Sequence, residues 1–319
     1  MDSTKTEKEK GHGPGSHNSV EIEGVSWPPL VSKESLKAIK NFDVRNDDVW
    51  IASYPKAGTH WVAEICHLIL NNGDLEKVDR QQEPLPLEFE AMATISELAK
   101  FGGTERLPRY RAAPGWKSPR VIVTHVPRSF LPDQLLKEKK GKIITPVRNL
   151  KDTMVSYYHF YKGMMAHKLK DLTFAESLEV NCFGDKINYS SWFDHVLEYW
   201  EHRHDDGNLV LKYEDMKRDT RGAVIQIADH LERPLSDEVI DKITGLVSME
   251  KMKTRYHVAG EPREFKDDGT AIKSGAPNLM RKGIVGDWKS AFTVAQNERV
   301  DELYREKMKD TDLEFDFGL

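Results

Sequence analysis

Short apolar runs that alternate with segments of helical periodicity constrain the fold of this chain more than any other feature. Four runs have the length and composition of buried strands, and they cover 48–54, 120–124, 142–147 and 208–213. Helical stripes follow three of them, at 59–71, 150–164 and 215–231. Strands that alternate with helices pair in parallel and are covered on both faces. The sequence therefore predicts an α/β fold, a single domain with a central parallel sheet flanked by helices.

Pro146 lies inside the third of these runs. A proline has no N–H group to donate to a neighbouring strand, and it is rare inside central strands. We therefore expect a bulge or the end of the strand at this position.

Charge and composition limit the kind of partner that this chain can bind. The 47 Lys and Arg residues and 52 Asp and Glu residues leave a formal net charge of −5, which argues against a general nucleic-acid binder.

The sequence contains only two cysteines, Cys66 and Cys182, which are too few for a disulfide framework or a zinc site. Residues 1–20 are polar and predicted to be disordered, which leaves a domain at 21–319. Without a signal peptide or an apolar stretch of ~18 residues, we expect no membrane contact and a cytoplasmic location.

The segment 54–61, YPKAGTHW, connects the first predicted strand to the first predicted helix. A tight turn followed by a helix N-terminus offers backbone N–H groups and a favourable dipole to an anion, and Lys56 adds a full positive charge. The segment lacks the G-x-x-x-x-G-K-[ST] pattern of nucleoside triphosphate loops. None of the predicted strands ends in an Asp that would hold magnesium. We therefore expect an anion bound without a metal.

Two further cationic segments complete the pattern. Arg148 follows the third predicted strand, at the edge of the sheet where open α/β proteins bind ligands, and its guanidinium group matches phosphate geometry. Arg281 and Lys282 end the irregular stretch 257–283, which is longer than most connections and which we interpret as a binding loop.

These segments resemble the signature regions of the cytosolic sulfotransferases. The similar stretches are YPKAGTHW, THVP at 124–127, RNLKDTMVSYYHFY and RKGIVGDWKSAFTVAQNE, in the family's order and spacing from about Trp27 onward. The resemblance implies a fold like that of P-loop nucleotide-binding proteins. It also implies transfer of a sulfuryl group from 3′-phosphoadenosine 5′-phosphosulfate (PAPS), without a metal, to a hydroxyl or amine of a small hydrophobic acceptor.

The resemblance also implies roles for individual residues. His125 is the expected general base, Lys56 stabilises the leaving group, and Ser156 holds that lysine away until the acceptor binds. The residues expected to bind the donor are Lys56, Ala57, Gly58, Thr59, His60, Trp61, Arg148, Ser156, Tyr213, Ser248, Met249, Arg281, Lys282 and Gly283.

Four positions depart from the family's pattern. Ala57 and His60 replace a serine and a threonine beside the phosphosulfate, and Met249 replaces a phenylalanine beside the adenine. Val123 replaces a lysine two residues before His125, so we expect the pKa of this histidine to be less depressed than it would be next to a cation. These changes leave Lys56, His125, Arg148 and Ser156 in place.

The acceptor pocket and the oligomeric state follow from the same resemblance. We expect the pocket to be formed by 84–103, 157–165 and 257–275, with Phe89, Phe101, Tyr158 and Phe160 among its walls. The segment from Lys289 to Glu298 matches the family's short dimer motif and predicts a weak homodimer.

Two other interpretations stay open. A nucleotide kinase of the same fold superclass is disfavoured by the missing triphosphate-loop pattern. A non-catalytic protein that only binds 3′-phosphoadenosine 5′-phosphate (PAP) is favoured by Ala57, His60 and Val123, and disfavoured by the presence of both Lys56 and His125. The run EHRHDD at 201–206 contains histidines and acidic residues, but we interpret it as the solvated end of a helix.

Overall fold

The computed structural model describes residues 19–79, 85–90, 108–164, 171–256, 264–265, 271–273 and 280–318. Within them lie the strands β1 (Val20–Ile22), β2 (Val25–Trp27), β3 (Val49–Ala52), β4 (Val121–Thr124), β5 (Lys142–Val147), β6 (Asn208–Lys212), β7 (Glu264–Phe265) and β8 (Ala271–Lys273). Residues 1–18 of the predicted tail and most of the loop 257–283 lie outside the described residues.

The helices of the same residues are α1 (Lys33–Lys40), α2 (Thr59–Leu70), α3 (Arg109–Ala112), α4 (Asp133–Leu136), α5 (Leu150–Met164), α6 (Phe174–Cys182), α7 (Trp192–Glu201), α8 (Tyr213–Arg218), α9 (Thr220–His230), α10 (Asp237–Leu246), α11 (Met249–Tyr256) and α12 (Val294–Met308). Among these helices, none combines the length and the apolar character needed to cross a bilayer.

The central sheet has the strand order β4–β3–β5–β6, and all neighbouring strands are parallel. Val49 and Ile51 of β3 pack in one apolar cluster with α2 and α9, whereas Trp50 and Ala52 pack in a second cluster with α1. Successive residues of a strand face opposite sides of the sheet, so helices cover both faces. The predicted α/β fold with a flanked parallel sheet is confirmed.

The helix predicted at 215–231 is wrong, because the structure has two helices there, α8 and α9, separated at Asp219. The side chain of Asp219 accepts a hydrogen bond from the Gly222 N–H group at 2.8 Å and caps α9. A Cβ atom at Gly222 would lie 2.2 Å from this carboxylate, so the glycine leaves room for the cap.

The bulge or strand end expected at Pro146 is also wrong. Pro146 lies opposite Leu211 in a regular ladder with β6, and β5 continues to Val147. The Ile143 N–H group points to β6, where it donates to the Gly207 carbonyl at 2.7 Å, so by alternation position 146 faces β3. Pairing with β3 ends at Ile144, and the proline therefore removes no hydrogen bond from the sheet.

Candidate active site

The loop after β3 carries the first group of predicted site residues. Lys56 and Gly58 have left-handed backbone conformations, with φ of +70° and +114°. A Cβ atom at Gly58 would lie 3.0 Å from Cδ2 of Tyr213, so the missing side chain lets the loop pack against that ring. The Thr59 hydroxyl lies 2.7 Å from the Ser53 hydroxyl, and no side chain caps α2. The first turn of α2 is thus available to an anion.

His125 follows β4 directly and is held at three points. Its Nδ1 atom lies 2.8 Å from the Ser53 carbonyl oxygen, its backbone N–H group donates to Glu88 at 3.0 Å, and its carbonyl oxygen lies 3.0 Å from Nε2 of His195. Since a carbonyl can only accept, Nδ1 carries the proton and Nε2 presents a lone pair. The ring lies edge-on to Tyr189, with 5.7 Å between the centroids. This is the tautomer that a general base needs.

Burial is the main cause of the low pKa of His125. Burial and the charge of Lys56, opposed by the hydrogen bond to Ser53, bring the value to about 4. The shift arises although position 123 is a valine, because burial and not a neighbouring cation is its largest cause. The imidazole is neutral throughout the physiological pH range and is able to accept a proton.

Lys56 has an unusually low pKa for an amine. Burial, together with the charges of Arg148 and Arg281, lowers it to about 7. Burial together with the charges of Lys56 and His125 lowers the pKa of His60 to about 3. The Nζ atom of Lys56 lies 4.2 Å from the ring centroid of Phe160. Positive charge is thus concentrated at the carboxyl edge of the sheet, where a bound anion would stabilise it.

Arg148 follows β5 and is buried beside the first group. Its guanidinium carbon lies 4.4 Å from the ring centroid of Tyr213, and its Nη2 atom donates to the Ile284 carbonyl at 3.2 Å and lies 3.7 Å from Asp152. Its buried Nε atom has no hydrogen-bond partner within the described ranges. An unpaired buried N–H group on a charged fork fits an anionic ligand.

Arg281 and Lys282 share the counter-ion Asp287. Both side chains contact this carboxylate, Lys282 at 2.6 Å. Burial disfavours the charge of Asp287, but the hydrogen bonds and charges of the two cations outweigh it and hold the pKa below its usual range. The buried Nε atom of Arg281 has no partner in the described structure. Gly283 has a φ of +66°, and a Cβ atom there would lie 1.8 Å from Cε of Met249.

Asp152 connects the two parts of the second cationic group, which consists of Arg148, Arg281 and Lys282. The buried carboxylate accepts hydrogen bonds from the Asn149 side chain at 3.0 Å, from the Gly286 N–H group at 2.9 Å and from the Trp288 N–H group at 3.0 Å. Asn149 adjoins Arg148 in the chain, and Gly286 adjoins Asp287. Asp152 therefore fixes the loop after β5 to the loop that carries Arg281.

The predicted adenine-side residues are also close together. The rings of Trp61 and Tyr213 lie 5.5 Å apart at 64°, and Nε1 of Trp61 donates to the Val247 carbonyl at 2.9 Å. The exposed Ser248 and the half-buried Met249 follow Val247 in the chain. An aromatic wall is thus continuous with both cationic groups.

Two other predicted residues occupy less distinctive places. Ala57 is fully buried, and Ser156 lies on α5 one turn before Phe160, whose ring contacts Lys56. The structure shows no hydrogen bond between Ser156 and Lys56, so the restraint of the lysine by this serine stays a prediction.

Sequence reasoning missed the carboxylates that support the site. Glu88 is buried and accepts hydrogen bonds from the His125 N–H group and, at 2.9 Å, from the Thr124 hydroxyl. Burial raises the pKa of Glu88 to about 7. It lies in a proline-rich stretch without periodicity, where the sequence carries no signal. Asp287 does carry a sequence signal, because it is an acidic residue within six positions of two predicted phosphate-binding cations.

The described residues contain no cluster of three His, Cys, Asp or Glu side chains able to hold a metal. In the run 201–206, Nδ1 of His202 lies 2.9 Å from a carboxylate oxygen of Asp205 at the end of α7.

Comparison with known proteins assigns a family to this architecture. The sequence profile of the sulfotransferase domain matches residues 46–312. Human sulfotransferase 1C2 is 36% identical over 302 residues, which cover 92% of this chain and 94% of the relative.

Solved structures agree with this assignment. The structure of the mouse sulfotransferase SULT7A1 complexed with PAP is 32% identical, with a TM-score of 0.66, and the match covers 92% of this chain and 95% of that one. Retinol dehydratase in complex with androsterone and the inactive cofactor PAP is 26% identical, with a TM-score of 0.71, covering 95% and 93% of the two chains. The chain belongs to the sulfotransferase domain family, and it is a sulfotransferase enzyme.

Proposed function

We propose that the protein transfers the sulfuryl group of PAPS to a hydroxyl or amine of a small hydrophobic acceptor, with His125 as the general base. The observation that carries this proposal is the Nδ1 contact of His125 with the Ser53 carbonyl, which leaves Nε2 as a proton acceptor beside Lys56. The relatives crystallised with PAP support a donor of the same nucleotide class.

The two cationic groups match the two ends of such a nucleotide. Lys56 and the first turn of α2 would hold the 5′-phosphosulfate, which carries the reacting sulfur. Arg148, Arg281 and Lys282 would hold the 3′-phosphate, and their two unpaired Nε atoms supply donors for it. The adenine would lie near Trp61. This arrangement explains why both groups are cationic and why an aromatic wall connects them.

Proton transfer is the task of His125. Its Nε2 atom removes the proton of the acceptor as the acceptor oxygen or nitrogen attacks sulfur in line with the departing phosphate. The imidazolium that forms is stabilised by the Ser53 carbonyl, which accepts the hydrogen bond from Nδ1–H. Negative charge brought by the donor raises the pKa of the histidine and so makes it a stronger base when the site is occupied.

Leaving-group stabilisation is the task of Lys56. Negative charge grows on the bridging oxygen of the nucleotide as the bond to sulfur breaks, and a cation in a water-poor site stabilises that charge. Because its pKa is about 7 without ligand, Lys56 gains its full charge only when an anion is bound beside it. Ser156 would direct this lysine away from the sulfate until the acceptor is present.

The acceptor is expected to be apolar. Two structures of retinol dehydratase, which has this fold, hold retinol or androsterone, both hydrophobic alcohols. In this chain Phe160 of α5 contacts Lys56, Tyr158 lies on the same helix, and Phe89 lies beside Glu88. Phe101 and most of 257–275 lie outside the described residues.

An assay with labelled donor over a panel of phenols, steroids and arylamines tests the proposal, with and without a magnesium chelator. We expect transfer to at least one acceptor at the same rate in both conditions. Phosphoryl transfer that needs magnesium would instead support a kinase. PAP binding without transfer to any acceptor would support a protein that only binds the nucleotide.

Three further features belong to the same proposal. We propose a sulfotransferase domain at 21–319, a cytoplasmic location, and a weak homodimer formed through Lys289–Glu298. Val294 supports the dimer because 75% of this apolar side chain is exposed at the start of α12.

A further inference from the structure

Residues 316–318 pack against the loop that carries the counter-ion Asp287. The Phe317 carbonyl accepts a hydrogen bond from Nε1 of Trp288 at 2.8 Å, and the Gly318 carbonyl accepts one from Nζ of Lys289. Both donors follow Asp287 directly in the chain. The segment therefore holds the same short turn whose carboxylate positions Arg281 and Lys282.

The same three residues also contact the loop after β5. The Asp316 carbonyl accepts from the Asn149 side chain at 3.3 Å, and the Asp316 carboxylate pairs with Arg218 at 3.1 Å. The ring of Phe317 lies 5.1 Å from Nζ of Lys151. Residues 316–318 thus bridge the loop beside Arg148 and the loop that carries Arg281.

Two glycines make the closest part of this contact. Gly286 and Gly318 both have left-handed backbones, with φ of +82° and +70°. A Cβ atom on Gly318 would lie 3.0 Å from Cα and 3.2 Å from the nitrogen of Gly286. The backbones therefore meet without any side chain between them. The N–H group of Gly286 also donates a hydrogen bond to Asp152.

We propose that residues 316–318 are a positioning segment for the 3′-phosphate site. Among the described residues they form no hydrogen bond with Arg148 or Arg281, but they fix the turn 286–289 against the loop after β5. Arg148, Arg281 and Lys282 then face one another at a set separation before the nucleotide arrives. This inference rests on the proposed function, because it assigns the 3′-phosphate to those three cations.

Gly318→Ala tests the proposal, with Gly24→Ala as its matched control. Gly24 has a φ of +76°, so alanine there carries the same backbone cost, but a Cβ atom at Gly24 has no neighbour within 4 Å. PAP and adenosine 5′-phosphate are titrated calorimetrically into both variants and the wild type. We expect Gly318→Ala to weaken PAP binding about 5–20-fold and adenosine 5′-phosphate binding by less than about twofold.

A second variant removes a single hydrogen bond without adding any atoms. Trp288→Phe deletes the Nε1–H group that donates to Phe317 and keeps an aromatic ring beside Lys151. We expect a loss of about 2–10-fold in PAP affinity, again confined to the 3′-phosphorylated nucleotide. Turnover at saturating donor should stay at the wild-type level for both variants, because the proposed base His125 and Lys56 lie on the reacting side of the site and not at the 3′-phosphate.

The outcomes separate this inference from the proposed function. If the wild type prefers PAP but Gly318→Ala and Trp288→Phe keep that preference in full, the positioning role is wrong and the assignment of the 3′-phosphate stands. If both variants lose affinity for the two nucleotides equally, the segment supports only the fold, and the proposal is likewise overturned. If the wild type itself binds both nucleotides equally, the assignment of the 3′-phosphate fails, and the inference fails with it.

Discussion

The two cationic groups of the site differ in how their charges are balanced. In the group that we propose for the 3′-phosphate, Asp287 pairs with Arg281 and Lys282, and Asp152 lies 3.7 Å from Arg148. In the group that we propose for the 5′-phosphosulfate, Lys56 forms no ion pair with a carboxylate of the described residues. The cations of the proposed 3′ side are therefore held in place by the protein, whereas the cation of the proposed 5′ side lacks a counter-charge until a ligand supplies one.

This difference corresponds to two tasks. A phosphate that only anchors the nucleotide is bound best by donors that are already positioned. A charge that develops during the reaction is stabilised best by a cation that has no other partner. Burial is the largest cause of the low pKa values of Lys56 and His125, and neighbouring positive charges add to it.

Of the substitutions, replacement of His125 should have the largest effect, and this effect should be confined to turnover. His125→Ala removes the general base, so we expect turnover to drop about 10²–10⁴-fold. PAP affinity should be unchanged, because the imidazole ring of His125 is hydrogen-bonded to the Ser53 carbonyl and not to the cations that bind the nucleotide. Steady-state rates with labelled donor and calorimetric titration with PAP measure the two quantities.

His202→Ala is the control, since His202 is a surface residue paired with Asp205. If His125→Ala keeps more than about a tenth of the wild-type rate, another group is the base.

Lys56→Ala should change both quantities, which distinguishes it from His125→Ala. The loss of leaving-group stabilisation should lower turnover about 10²–10³-fold, and the missing charge should also weaken donor binding. Lys212→Ala removes a lysine whose Nζ atom lies 5.8 Å from the ring centroid of Trp200, and it serves as the control. Unchanged turnover in Lys56→Ala would remove the distinction between the reacting side and the anchoring side.

Arg148→Ala should act mainly on the anchoring side. Loss of a charge-assisted contact to the 3′-phosphate should weaken PAP binding about 10–150-fold and leave adenosine 5′-phosphate binding nearly unchanged. Arg203→Ala is matched to it, because that guanidinium also stacks on an aromatic ring, at 4.4 Å from Trp200. Equal losses for the two nucleotides would place the 3′-phosphate elsewhere.

The smallest effect on catalysis should come from Val294→Glu. A carboxylate on this exposed apolar position should prevent association of two copies through Lys289–Glu298. We expect monomers by analytical ultracentrifugation at a concentration where the wild type is dimeric, with turnover within about twofold of normal. A wild type that is monomeric at micromolar concentration would refute the dimer.

Local patterns explain which parts of this structure were predictable. The strand at Lys142–Val147 and the helix at Leu150–Met164 have the predicted bounds, because apolar periodicity records which face of each element is buried. The single helix predicted at 215–231 failed because the apolar period continues across Asp219, and only the capping residue marks the break.

The site divides in the same way. Lys56 and Arg148 follow strand ends and are visible in the sequence, whereas the contacts of Glu88 and Asp152 depend on which loops meet. Glu88 reaches His125 from 37 positions earlier in the chain, and Asp152 reaches Gly286 across 134 positions. The low pKa of His125 has the same origin, since burial depends on tertiary packing that no local pattern records.

Proton uptake on PAP binding tests the difference between the two sides most directly. At pH 8 Lys56 is mostly neutral without ligand, because its pKa is about 7. A bound 5′-phosphate raises that pKa, so the complex should take up close to one proton per nucleotide, about 0.9 at most. Calorimetry at pH 8 in buffers of different ionisation enthalpy measures this number. The account predicts uptake in the wild type and in Arg148→Ala and none in Lys56→Ala. Binding of PAP to the wild type without proton uptake at pH 8 would contradict it.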